Sequence, residues 1–113
     1  MKTFKSPYLK NIDLKSGMLE YDSFEINPKV PFEDQKFFFT EDLIQIGFGE
    51  NLCVDVGYYP AIKPNGFFKI LVVSNEDWEN PVYKKQCKTL EEMRKCLQEA
   101  IEIADDMFRS SKA

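Results

Sequence analysis

Residues 51–81, NLCVDVGYYPAIKPNGFFKILVVSNEDWENP, constrain the fold more than any other stretch of the chain. Leu52, Val54, Val56 and Tyr58 alternate with Cys53, Asp55, Gly57 and Tyr59, the period-2 pattern of a strand. Beyond a Pro64-Asn65-Gly66 turn, Phe68, Ile70 and Val72 face one way and Phe67, Lys69, Leu71 and Val73 the other. This second strand is apolar on nearly both faces, which places it inside a sheet. The loop between the strands is long for a hairpin, and Asn65-Gly66 is expected at positive φ at its end. The preceding residues read as strands that pair with this hairpin, and the following ones as a helix that covers it.

Residues 18–27, MLEYDSFEIN, form a strand pattern whose alternation changes phase. Leu19 and Tyr21 share one parity, and Phe24 and Ile26 share the other. A bulge near Asp22-Ser23 reconciles them, as does a tight turn. Residues 27–31 (NPKVP) are irregular, because two prolines remove donors and push their predecessors out of the helical region. The run Phe37-Phe38-Phe39 is expected to be a strand and Thr40-Glu41-Asp42 a turn. Residues 43–48 then continue as a strand with Ile44, Ile46 and Phe48 on one face. Residues 1–17 fit a short strand or a helical turn and close on a Ser16-Gly17 turn signal.

The helix has the clearest boundaries. Thr89 is a favourable N-cap, and Glu92 three residues on completes a capping box. Leu90, Met93, Leu97, Ala100, Ile101, Ala104, Met107 and Phe108 recur at three- and four-residue spacing, one apolar stripe. Glu91 and Glu92 complement the positive end of the dipole and Arg109 the negative end. Glu91 and Lys95 are spaced for an i,i+4 ion pair. The stripe needs a surface to bury itself against, and the sheet supplies one. The expectation is a single α+β domain over residues 1–113, in two layers. It has a mostly antiparallel sheet of about five strands, with the C-terminal helix packed on one face.

Composition excludes more chemistry than it suggests. The 113 residues suffice for one core and are too few for two ordinary domains. No histidine is present, which removes Ser-His and Cys-His nucleophile pairs, histidine metal ligands and the usual base near neutral pH. Cys53, Cys87 and Cys96 are odd in number and widely spaced, unlike a disulfide framework or a zinc site. No segment approaches the run of about 18 apolar residues that spans a bilayer. The N-terminus lacks the apolar core of a secretory signal. The chain is therefore expected in the cytoplasm, with no membrane partner.

The net charge of −4 is unevenly spread. Residues 1–40 hold six basic and six acidic side chains, residues 41–80 two and seven, and residues 81–113 seven and six. The negative field belongs to the strand-rich middle. Nucleic acid is a poor partner for such a surface, whereas a basic protein complements it.

Two groups of residues carry candidate chemistry. In NEDWENP, Glu76, Asp77 and Glu79 flank Trp78, the one tryptophan. Carboxylates so close can hold a hard cation or move protons, but the spacing is not that of an EF-hand loop. A solvated loop anchored by Trp78 is one reading, and a recognition surface with an aromatic anchor is another. Asp55 lies on a half-buried strand beside Tyr58 and Tyr59, where a carboxylate needs hydrogen bonds or a shifted pKa. No second convergent group makes it a catalytic acid, and a partner-facing role on an uncovered sheet face fits better. Cys53 shares its parity but has only Lys69 on the hairpin to activate it, so it reads as a small hydrophobe. Gly47-Phe48-Gly49 is followed by strand rather than helix, so it is no phosphate loop. No catalytic set, cofactor site or metal site emerges.

The segments Asp55-Val56-Gly57-Tyr58-Tyr59-Pro60, Pro64-Asn65-Gly66 and Asp77-Trp78-Glu79-Asn80-Pro81, with the strand through Val73 and the Thr89-capped helix, carry a family resemblance. Over residues 51–108 the chain resembles small cytoplasmic immunity proteins of bacterial toxin systems, including contact-dependent growth inhibition systems. That resemblance implies a non-enzymatic inhibitor that binds one toxin domain, in many cases a nuclease with a basic cleft, and blocks its active site or substrate access. The expected partner-contact residues are Asp55, Tyr58, Tyr59, Glu76, Asp77, Trp78 and Glu79. Two alternatives stand beside it: an acidic secretion or assembly chaperone, usually dimeric, and a small enzyme that works with carboxylates alone. The oligomeric state stays open.

Overall fold

Alternating apolar side chains from residue 44 to residue 74 leave the backbone one economical solution, an up-and-down sheet whose neighbours in sequence are neighbours in space. The structure is a computed structural model that describes residues 3–111. Residues 1–2 and 112–113 lie outside the described residues. In chain order the elements are β1 (Met18–Asp22), α1 (Phe32–Gln35), β2 (Ile44–Phe48), β3 (Leu52–Tyr59), β4 (Phe67–Ser74), β5 (Tyr83–Cys87) and α2 (Leu90–Ser111). The five strands pair antiparallel in the order β1-β2-β3-β4-β5. The expected α+β architecture, an antiparallel sheet with the C-terminal helix packed against it, is what the chain adopts.

Register assigns each side chain to a face. Leu19, Ile46, Val54 and Val72 lie in one row, and Ile44, Val56 and Ile70 in the next. These side chains are buried and form one cluster with Met93, Leu97, Ala100, Ile101 and Ala104 of α2. The predicted stripe is therefore the buried one, each large side chain contributing about 1.5–3 kcal/mol. Thr89 caps the helix at the predicted place, and Glu92 answers through the Thr89 hydroxyl rather than the backbone N–H of a capping box. The Glu92 backbone N–H donates to Thr89 Oγ1 at 3.1 Å, and the Thr89 hydroxyl donates to Glu92 Oε1 at 3.1 Å. At the other end Arg109 pairs with Asp105 at 3.1 Å and Asp106 at 3.3 Å.

Beside α2 the same side of the sheet carries two irregular segments. Residues 4–16 contribute buried Phe4, Leu9 and Leu14, with a 3-10 turn at Pro7–Leu9. Residues 24–39 contribute Phe24, Ile26 and Phe39. Phe39 packs edge-on against Tyr58 with ring centroids 4.9 Å apart, and Tyr58 stands 5.2 Å from Phe68.

Four local expectations are corrected. The Phe37-Phe38-Phe39 run is not a strand: α1 passes directly into a 3-10 turn at Lys36–Phe38, and only Phe39 enters the core. The fifth strand is instead β5, between the acidic segment and the helix. In the first strand the irregularity falls between Leu19 and Tyr21, so these two do not share a face. Leu19 pairs with Ile46 on the helix side, Tyr21 pairs with Gln45 on the other, and residues 23–26 leave the ladder. In the β3–β4 loop the left-handed residue is Ile62 at φ 55°, not Asn65 or Gly66.

Candidate functional site

A sheet with one helix on one side leaves its second side uncovered, and the side chains there are the ones the core does not need. A row running across all five strands makes the point. Tyr21 pairs with Gln45, Gln45 with Asp55, Asp55 with Leu71 and Leu71 with Lys84. The flanking rows add Gly47, Cys53 and Val73 towards one end, and Gly57, Lys69 and Gln86, then Tyr59 and Phe67, towards the other. The face is divided by charge. Glu20, Glu41, Asp42 and Asp55 lie on its β1–β3 half, and Lys69, Lys84 and Lys88 on its β4–β5 half.

Asp55 is the chemically distinctive group. It is only 5% exposed, yet it sits on the uncovered face, where Gln45 Nε2 donates to its Oδ1 at 3.1 Å. Burial pushes its pKa up; the Gln45 hydrogen bond opposes that shift and the nearby Asp42 charge adds to it. The cover over it comes in part from an irregular stretch between α1 and β2. Leu43 N–H donates to the Val56 carbonyl at 3.0 Å and Tyr58 N–H to the Thr40 carbonyl at 2.9 Å, so Glu41 and Asp42 bulge over the sheet between these bonds. A Cβ on Gly57 would lie 2.0 Å from the Glu41 carbonyl oxygen, which explains the glycine in that strand.

The aromatic members of the expected contact set separate. Tyr59 is half-buried on the open face with Lys69 Nζ 4.6 Å from its ring centroid. Its hydroxyl is held protonated by burial first, and then by Asp55, Glu41 and Asp42. Tyr58 points the opposite way, is 3% exposed, and donates its hydroxyl to the Lys63 carbonyl at 2.6 Å. It is a core residue and offers a partner no surface. Adjacent residues on a strand take opposite faces, so Tyr58 and Tyr59 cannot serve together.

Residues 75–81 connect β4 to β5. Asn75 and Glu76 both take left-handed backbone, at φ 55° and 59°, which turns the chain sharply. Asn75 N–H donates to the Asn51 carbonyl at 2.7 Å and fastens the turn to the β2–β3 connection. Trp78, 47% exposed, lines a shallow groove of about 310 Å³ together with Glu20, Cys53, Val73 and Glu76. Glu76 and Trp78 therefore border the open face, while Asp77 and Glu79 are exposed and Asp77 accepts from Asn80 Nδ2 at 3.2 Å. Three groups absent from the sequence-based set belong here by position: Glu20, Tyr21 and the Glu41-Asp42 bulge. Their signal was the register. Tyr21 reaches this face only because the strand bulges one residue earlier.

The face holds no reactive nucleophile of the usual kind. Cys53, on it, has its thiol pushed up to about 11 by burial, with Asp55 and Glu20 adding to the shift, so it stays protonated near neutral pH. Among the described residues no group of three or more Cys, Asp or Glu is placed to hold a metal ion, and no helix is long and apolar enough to cross a membrane. The arrangement suits contact: half-apolar, aromatic at its margins and acidic on one half. Fold and face define an α+β domain with a one-sided sheet. Comparisons with protein-family models, curated proteins and solved structures find no match.

Proposed function

We propose that this protein is an immunity protein, a non-enzymatic binder that neutralises a basic toxin domain by covering it with the uncovered face of its sheet. One observation carries the reading. The face away from α2 brings Asp55, Tyr59 and Tyr21 together with Glu20, Glu41 and Asp42, and Glu76 and Trp78 stand at its end. Aromatic side chains supply contact area at low entropic cost, and the carboxylates steer a cationic partner and set its register. A carboxylate only 5% exposed, held by one side-chain hydrogen bond from Gln45, costs the fold stability, as partner-binding residues commonly do. The contact set that follows is Tyr59, Glu76, Asp77, Trp78 and Glu79, with Glu20, Tyr21, Glu41 and Asp42 added, while Asp55, 5% exposed, lies beneath the Glu41-Asp42 bulge and adds its charge from below.

The test is binding of the purified protein to the toxin domain encoded by the neighbouring gene. Tight binding that weakens with salt, and slower association of Glu41→Lys, are the expected results. No affinity for that domain sinks the proposal. A stable homodimer holding an extended client segment would instead identify an assembly chaperone, and turnover abolished by Asp55→Asn would identify a carboxylate enzyme.

A further inference from the structure

We propose that the 3-10 turn carrying Phe37 and Phe38 is a docking wedge for a partner protein, one that offers an apolar pocket bordered by lysine or arginine side chains. Phe37 is 70% exposed and Phe38 is 43% exposed, and the core takes neither of them. Two adjacent phenylalanines left partly in water forgo burial that a core position would supply, and exposed apolar clusters of this kind mark interaction sites. A partner with a matching pocket recovers that energy.

The turn is held in place rather than loose. On its C-terminal side Phe39 is buried among Phe32, Tyr58 and Phe68, with ring centroids 4.7, 4.9 and 6.0 Å away. The Phe39 N–H donates to the Lys36 carbonyl at 3.1 Å, closing the turn. The Ile62 N–H donates to the Phe39 carbonyl at 2.8 Å, which brings a third exposed apolar side chain to the same end of the molecule. Ile62 does this at φ 55°, a left-handed conformation that a β-branched residue adopts only under tertiary constraint. A pre-set wedge loses little entropy on binding.

Charge says what kind of pocket fits. Residues 33–42 hold four carboxylates and one lysine. That lysine, Lys36, is engaged by Glu33 at 3.5 Å and stands 5.6 Å from the Phe37 ring centroid. Glu41 and Asp42 are exposed and follow the wedge directly, where the chain crosses onto the uncovered sheet face. The wedge thus leads within four residues into the acidic half of that face. A second copy of this chain would set like charges against each other here, whereas a cationic pocket rim would be attracted.

The inference rests on the neutralisation reading for the partner's identity, and calorimetric titration with the toxin domain encoded beside this chain's gene separates the two. Wild-type protein is expected to bind, and Phe37→Ser/Phe38→Ser to bind about 30-fold more weakly or worse, with a thermal midpoint like that of the wild type. If the double variant melts early, Phe37→Ser alone, at the more exposed position, supplies the comparison. Glu41→Lys/Asp42→Lys is expected to slow association and flatten its salt dependence. Wild-type affinity in the Phe variants, with loss in Trp78→Ala, overturns the wedge and leaves the neutralisation reading standing. Absence of wild-type binding overturns the neutralisation reading and the wedge's partner with it. A wild-type homodimer that Phe37→Ser/Phe38→Ser converts to monomer in sedimentation overturns the choice of partner in favour of a second copy.

Discussion

Asp55 and Asp105 are both carboxylates at 5% exposure, and their surroundings push them in opposite directions. Burial raises the Asp55 pKa against a single side-chain hydrogen bond. The folded state then holds that proton more tightly than the unfolded chain does, so its contribution is most favourable below about pH 4 and is lost as pH rises through the shifted value. Asp55→Asn, which keeps an acceptor for Gln45, is expected to raise the melting temperature at pH 7, with the gain vanishing towards pH 3–4 in melts across pH. Asp105 is the reverse case. It accepts from the Ser16 N–H at 3.1 Å and from the Ser16 hydroxyl, and Arg109 approaches at 3.1 Å. The Ser16 hydrogen bond is the largest influence and holds its pKa below the usual carboxylate range. Its contribution is present above about pH 4 and lost as pH falls through the lowered value, so Asp105→Asn should destabilise at pH 7 and converge with the wild type in acid. Gly57 gives the residue scale a purely steric test. Its missing side chain leaves room for the Glu41 carbonyl, and Gly57→Ala should cost about 3 kcal/mol in chemical denaturation as the Glu41-Asp42 bulge is displaced.

At the scale of elements, α2 both covers the sheet and holds the N-terminal segment. Arg94, Gln98 and Asp105 reach the chain beside the helix in turn. Arg94 Nε donates to the Tyr8 carbonyl at 2.9 Å, and Gln98 bonds both the Asp13 N–H, at 2.8 Å, and the Asp13 carbonyl, at 3.0 Å. Backbone groups that have no strand partner are satisfied by helix side chains instead. Gln98→Leu removes both Asp13 bonds, so amide exchange over residues 8–16 is expected to accelerate while β3 and β4 keep their protection. The helix itself was legible because its period, cap and terminal charges agree. So was the β2–β3–β4 core, whose apolar alternation runs unbroken. The fifth strand was not, since β5 reads Tyr-Lys-Lys-Gln-Cys and three of its five side chains face water, which hides the alternation. Phe37-Phe38-Phe39 misled in the opposite way. Aromatic β-propensity outweighed the Pro31 start and the Glu33-Asp34 first turn, although two of the three rings are left outside the core. At the site, Asp55 and Trp78 were legible from burial and composition. Glu20, Tyr21 and the Glu41-Asp42 bulge were not, because they meet only through a bulge and a crossing that no local pattern announces.

For the molecule as a whole, an open meander has two edge strands, and they are treated differently. Lys5 N–H donates to Asp22 Oδ2 at 3.0 Å, and Thr3 and Lys5 border a common groove with residues 19–22, so β1 is flanked by its own N-terminal segment. Among the described residues β5 pairs with β4 alone, and its outer edge is bare. What it presents there is Lys84, Lys85 and Gln86, all exposed. Clustered lysines on an edge strand repel a second copy approaching by backbone pairing, because an antiparallel β5–β5 contact would stack the lysines of both chains. Of these, Lys84 lies in register with Leu71 and joins Lys69 on the open face, away from Glu20 and Asp55, whereas Lys85 is in register with Ile70 on the helix side. On the proposed neutralisation reading, a basic partner would be repelled by one half of the sheet and attracted by the other, which would orient it. If the lysines perform this guarding, Lys84→Val/Lys85→Val should leave the core intact, since neither side chain is buried, while it exposes an apolar, unguarded edge. The expected outcome in sedimentation velocity is concentration-dependent self-association of the variant, at concentrations where the wild type sediments unchanged, together with a matching near-ultraviolet dichroism spectrum. Identical sedimentation of the two proteins would mean that the edge is protected by its shortness and twist rather than by its charge.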